Sequence, residues 1–359
     1  MKSDTIMIYA SIVMVIISII FEFTHIGGGV AIFFIAAVAI IPLAGLLGKA
    51  TEEIAITKGP AIGGLMNATF GNATELIIAA MALYRGYFDV VKASLTGSII
   101  GNLLLVLGLS MLAGGIKYKR MQFNTQMSSM NSSMLMLAIL GLLVPAVYYY
   151  TGHTGKQDIF IIEELSIGVA AVLIIIYVAG LIFSLHTHKD IFHSKDEVEE
   201  AEWSQKKAMA ILIIATLGVA LESEFLIGSL EEVVKSLGWS EIFIGVIIVA
   251  IIGNAAEHGV AVMMAMKNKI DLSLNVSLSS STQIALFVAP VLVFVSLIFS
   301  QINGKPAMDL LFSPFEILAI FGSVYTVSFM AGDGEFNWFE GAQLLGVYII
   351  MGVVFFFIK

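Results

Sequence analysis

Two acids, Glu75 and Glu257, stand inside nearly the same seven letters, FGNATEL at 70–76 and IGNAAEH at 252–258. Both are surrounded by residues apolar enough to lie in a lipid bilayer, where an ionised carboxylate costs about 3 kcal/mol or more unless something neutralises it. Asn72 and Asn254 come three residues before the acids, so on a helix amide and carboxylate share a face. Gly71 and Gly253 come four before. A glycine there lets an ion or a neighbouring helix approach the backbone, or lets the helix break and free carbonyl oxygens as ligands. The next apolar run of each half adds further oxygens: Ser98 and Asn102 in SLTGSIIGNLLLVLG, and Ser280 and Gln283 in SLSSSTQIALFVAP. Each pair again falls on one helix face, and Pro290 is expected to kink the second of these helices.

Gathered at the centre of a bundle, these groups make an oxygen-rich cavity holding two carboxylates. Calcium suits it, because calcium takes six to eight oxygens in flexible geometry, whereas transition metals favour imidazole or thiolate. Two carboxylates match its two charges. When calcium leaves, the bare pair repels itself and takes up protons. A site carrying calcium or protons can change its side of access, and an empty charged one cannot, which is the logic of exchange. The expected ions are therefore Ca2+ and H+, with calcium as transported substrate and no cofactor. His258, next to Glu257, is a candidate proton relay or tuning group, with packing as the alternative. Glu222 and Glu224, in ALESEFL, belong either to a proton or ion path or to the membrane surface.

The elements that hold these residues must be membrane helices. The apolar fraction is 58% and only 13% of residues are charged, against about a quarter in soluble domains. The apolar runs are long and continuous, unlike the alternating segments of barrel strands. About eleven spans are expected, at 6–23, 30–48, 60–84, 90–113, 131–150, 163–185, 206–230, 241–266, 272–299, 313–331 and 341–358. The run 6–23 has no small-residue cleavage pattern after it and reads as a retained helix. Both acids lie roughly 20 Å into their spans, near mid-bilayer. There is no cysteine, which excludes disulfides and thiolate metal sites, and the net charge of −9 argues against nucleic acid.

The two heptapeptides lie 182 positions apart, and the same offset brings Ser98 opposite Ser280. The chain therefore reads as an all-α membrane protein in four parts: an extra helix at 1–29, a five-helix repeat at 30–190, an acidic linker at 191–205 and a second five-helix repeat at 206–359. An odd span count turns the second repeat upside down. Twelve Lys and Arg fall on the N-terminal side and six on the other, so the N-terminus and linker are expected in the cytoplasm and the C-terminus opposite. Asp196, Glu197, Glu199, Glu200 and Glu202 of the linker are candidate regulatory residues, with a solvated connector as the alternative. The sequence leaves open whether the protein forms a homo-oligomer.

The pair GNATEL and GNAAEH, with GGLMNATFGN and KNKIDLSLNVSLSSSTQIALFVAP, resembles the calcium/proton (cation/proton) exchanger family of the calcium/cation antiporter superfamily. The resemblance covers essentially the whole chain. It implies that Glu75 and Glu257 are shared ligands of calcium and protons, that Asn72, Ser98, Asn254, Ser280 and Gln283 support them, and that helices flanking the site slide to alternate access. A sodium-coupled calcium exchanger of the same superfamily is the alternative, and a cation channel is the alternative of another class. An enzyme is not expected, since no H-E-x-x-H stands in the sequence.

Overall fold

The computed structural model describes residues 3–58, 60–188, 201–304 and 306–358. Its first half comprises helices α1 (Ser3–Thr24), α2 (Gly28–Lys58), α3 (Pro60–Phe70), α4 (Ala73–Arg85), α5 (Phe88–Lys117), α6 (Thr125–Tyr150) and α7 (Gln157–Thr187). The second comprises α8 (Gln205–Gly228), the short α9 (Leu230–Leu237), α10 (Glu241–Met266), α11 (Ile270–Ile302), α12 (Pro314–Met330) and α13 (Trp338–Phe357). Ten helical stretches among the described residues are long and apolar enough to cross a membrane. The eleventh expected span, 60–84, is present in two pieces, α3 and α4, divided at Gly71 and Asn72. Helix starts carry their own caps: Asn124 accepts from the N–H groups of Gln126 and Met127, and Ser313–Glu316 and Asn337–Glu340 form capping boxes, satisfying donors that a helix leaves open.

Contacts between the connections sort them into two faces. On one face Trp203 donates its backbone N–H to Glu53 at the end of α2 (2.9 Å) and its indole N–H to Asp4 at the start of α1 (3.1 Å). Strand β1 (Met121–Gln122) pairs antiparallel with β2 (Glu335–Phe336) on that face too, joining the α5–α6 and α12–α13 connections. On the other face Lys92 meets Asp309 at 3.1 Å, the N–H of Leu310 reaches in to Ser166 in the first third of α7, and Arg85 pairs with Glu224. With α3 and α4 counted as one crossing, the chain alternates between these faces from α1 to α13.

Helix α5 is the most enclosed, with 72% of its apolar stretch buried against 11% for α1. It meets α10 backbone to backbone. A Cβ on Gly97 would fall 2.0 Å from the Val246 carbonyl oxygen, an approach that small residues permit between membrane helices. Three π turns interrupt the central helices, at Gly101–Val106 in α5, Ile244–Val249 in α10 and Ile284–Val288 in α11. The turn in α11 lies immediately before Pro290, whose missing N–H and bulky ring disturb the ordinary ladder.

Candidate cation site

Asn72 is the N-cap residue of α4 and Glu75 lies in its first turn, where the partial positive charge of a helix start favours an anion. Asn72 does not cap its helix through its side chain. The amide reaches across to α11 instead, donating to Gln283 Oε1 and accepting from Ser280 Oγ at 3.1 Å. Asn254 of α10 does the same toward α5, donating to Ser98 Oγ and to the Ala250 carbonyl, both at 2.9 Å. The two asparagine–serine pairs join corresponding residues with the halves exchanged, the serine donating in the first and accepting in the second.

Asn102 ties the pairs together. Its Nδ2 donates to Ser280 Oγ at 3.0 Å and lies 3.4 Å from Asn254 Oδ1. Nearby, Ser281 Oγ lies 3.5 Å from the Ile99 carbonyl, residues 182 apart and so at the same place in each half. Asn102 sits inside the π turn of α5 and is buried. The sequence marked it only as a polar neighbour of Ser98. The stronger signal was a lone amide in the run IIGNLLLVLG, since polar side chains in such runs face the bundle interior.

The two copies of the motif touch at the acids. A Cβ on Gly253 would lie 3.2 Å from Glu75 Cγ and 3.7 Å from its carboxyl carbon. Gly253 is one helical turn before Glu257, so the Glu75 side chain lies across the helix that carries the second acid. Glycine at 253 serves this close approach. The helix break expected there is absent, because α10 runs unbroken through it and takes up its irregularity earlier, in the π turn at Ile244–Val249. The break stands only at Gly71.

Glu75 is buried and Glu257 half-buried. In each, Oε2 is buried and meets no hydrogen-bond donor among the described residues, and no cationic side chain pairs with either. Around them are hydroxyl and amide oxygens, each with a lone pair beyond the bonds given above. This donor set is hard oxygen throughout and fits a divalent cation such as calcium. No group of three or more His, Cys, Asp or Glu placed to hold a metal ion occurs among the described residues, and the two carboxylates on their own match the charge of one divalent ion.

The other candidates lie apart from this pair or add little to it. His258 is half-buried beside Glu257, and its Nε2 has no partner among the described residues. Glu224 forms an ion pair with Arg85, ten residues beyond Glu75 on α4, or about 15 Å along the helix, and does not join the acids. Glu222 is fully buried and accepts from Ser18 Oγ at 2.6 Å, fastening α1 to α8. Asp196, Glu197, Glu199 and Glu200 lie outside the described residues, and Glu202 is exposed.

Ser280→Ala and Gln283→Ala are expected to weaken calcium affinity without abolishing exchange, since each removes at most one neutral oxygen from a site of six or more. Calcium titration of the purified variants checks this. Complete loss of transport by a folded Ser280→Ala protein would contradict the assignment.

A helical bundle with ten stretches of membrane-spanning length and apolarity among the described residues, whose two copies of one motif meet at paired, uncompensated carboxylates, defines a membrane cation exchanger. The chain belongs to the sodium/calcium exchanger protein family, whose profile matches residues 28–186 and 207–357, one stretch in each half. It is 47% identical over 345 residues to a "Ca(2+)/H(+) antiporter" of Aphanothece halophytica, covering 91% of this chain and 90% of that one. It is 46% identical over 332 residues to "Ca(2+)/H(+) antiporter ChaA" of Bacillus subtilis, covering 90% and 92%. Among solved structures, native YfkE superposes with a TM-score of 0.83 at 41% identity, over 98% of this chain and 100% of that one. The sodium-calcium exchanger NCX_Mj, at 21% identity and a TM-score of 0.54 over 90% of this chain and 97% of that one, shares the fold alone.

Proposed function

We propose that this protein exchanges Ca2+ for H+ across a membrane, with Glu75 and Glu257 binding the two ions in turn. The observation that carries this reading is the pair of buried carboxylate oxygens that no donor or cation meets. At bilayer depth such a pair is sustained by an ion that comes and goes. Relatives at 46–47% identity bear the name Ca(2+)/H(+) antiporter, which favours protons over sodium as the coupling ion. The asymmetry of the halves supports alternating access over a channel: α3 and α4 break at Gly71 while α10 stays continuous, so the two repeats hold different conformations at once. The reading needs neither a cofactor nor enzymatic chemistry.

The division proposed is α1 as an extra helix, two inverted five-span repeats, and an acidic linker between them. The excess of Lys and Arg on the face of Asp4 and Trp203 supports a cytoplasmic position for that face. The test is ⁴⁵Ca uptake into proteoliposomes under an imposed proton gradient without sodium. Uptake that requires sodium, or single-channel conductance, would overturn the proposal.

Deleting Lys195 to Glu202 leaves Trp203 and its anchors to Glu53 and Asp4 in place. Transport is expected to persist in this variant, with an altered dependence on cytoplasmic calcium. An unchanged dependence would reduce the linker to a solvated connector.

A further inference from the structure

A cavity of about 120 Å³ lies between α6, α7 and α11, lined by Gln283 but not by Asn72 or either acid. Its polar lining is Asn131, Tyr177, Ser184, Ser279, Thr282 and Gln283, with Met130 and Met134 beside them. We propose that this cavity is a water-filled proton route to the cation site, separate from the path taken by calcium. The proposal rests on the reading of Glu75 and Glu257 as the shared site.

The first argument is depth. Ser184 is three residues from the end of α7 at Thr187, and Gln283 is thirteen from the start of α11 at Ile270. At 1.5 Å per residue these lie about 5 Å and about 20 Å from the same face, the face of the α7–α8 connection. The lining therefore runs from one membrane face to the level of the site. Gln283 closes the inner end: Asn72 Nδ2 donates to its Oε1, and its Nε2 donates to Ser279 Oγ at 3.3 Å. One amide thus touches both the cavity and the net that holds the asparagine of the first motif. Swinging Gln283 away from Asn72 joins the two spaces.

The second argument is charge. Among the described residues no carboxylate lines the cavity, so a divalent cation entering it would give up its hydration with no compensating charge. Water meets no such penalty. The volume accommodates several water molecules, one of which needs only ~10–15 Å³ of such space, with hydroxyl and amide partners on all three helices. A proton then moves from water to water, one O–H bond forming as another breaks, and ends on Oε2 of Glu75 or Glu257, where the positive charge it brings cancels the carboxylate's.

The absence of cysteine from the chain allows a direct test. Met134→Cys and Ser184→Cys place single thiols in the wall, and Ag+, an ion small enough to follow water, is the probe. Two fluxes are measured in proteoliposomes: proton-driven ⁴⁵Ca uptake, and calcium–calcium self-exchange at equal pH, which moves no protons. Ag+ is expected to cause loss of proton-driven uptake in both variants while self-exchange continues and the parent protein is unaffected. Insensitivity of both variants, or equal loss of the two fluxes, would overturn a separate proton route. Should Met134→Cys fold poorly, Leu181→Cys takes its place in the same wall. If the parent protein itself showed no proton-driven uptake before Ag+ was added, the exchange reading would fail, a result distinct from failure of the route.

Discussion

Glu75→Gln is expected to stop proton-coupled calcium uptake, and Glu257→Gln to do the same. The substitution keeps the shape of the side chain and one oxygen but holds the site as if one proton never left. Calcium would then enter a buried site with one of its two charges uncompensated, at a cost of about 3 kcal/mol or more, or over ~100-fold in affinity. The rest of the net cannot make up the deficit, because its members, from Asn72 and Ser98 to Ser280 and Gln283, are neutral. Neither variant should unfold. The carboxylate oxygens in question have no donor to lose among the described residues, so the amide disrupts no native hydrogen bond at Oε2. ⁴⁵Ca uptake with circular dichroism as a control for folding distinguishes the outcomes. A well-folded Gln variant that exchanged calcium for protons at the normal rate would end the shared-site mechanism.

The contrast between these variants and the mild ones at Ser280 and Gln283 follows from charge. Loss of a neutral oxygen removes one of several ligands, whereas loss of a carboxylate changes the charge the site presents. That difference was legible in the sequence, where two acids stand alone in apolar runs and the hydroxyls stand among many. The spans were equally legible, since length and hydropathy alone set them, and the repeat showed itself through the offset of 182 shared by the motifs and by Ser98 and Ser280.

Other features could not be read from the letters. FGNATEL and IGNAAEH are nearly identical, yet one copy is broken at its glycine and the other is continuous. Inverted repeats with the same local sequence must differ in conformation whenever the site opens to one side, so no local rule tells them apart. The π turns escaped for a related reason: a shift in the hydrogen-bond ladder leaves the apolar periodicity almost unchanged over five or six residues. Glu222 and Glu224 looked alike in ALESEFL. Two positions on a helix face different ways, and only the packing of α1 on one side and of Arg85 on the other gives Glu222 a buried serine and Glu224 an ion pair.

Calcium binding by the parent protein is expected to strengthen as pH rises. In the proposed mechanism calcium binds the pair with both carboxylates ionised and protons bind the same oxygens, so each calcium bound is expected to release about two protons in the range where the pair titrates. By linkage, affinity then changes by up to ~100-fold per pH unit, falling as pH falls and protons reoccupy the site, and levelling off at high pH once both groups are ionised. The two titrate as a pair and not singly, because the Glu75 side chain lies across the helix turn before Glu257 and the first negative charge opposes the second. Either Gln variant leaves one titrating group, so any residual calcium binding should show about half the slope, near tenfold per pH unit. Isothermal titration in buffers of different protonation enthalpy counts the released protons directly. Binding by the parent protein that did not change between about pH 6 and 9, or a slope that survived intact in Glu257→Gln, would mean that protons and calcium do not compete for these oxygens.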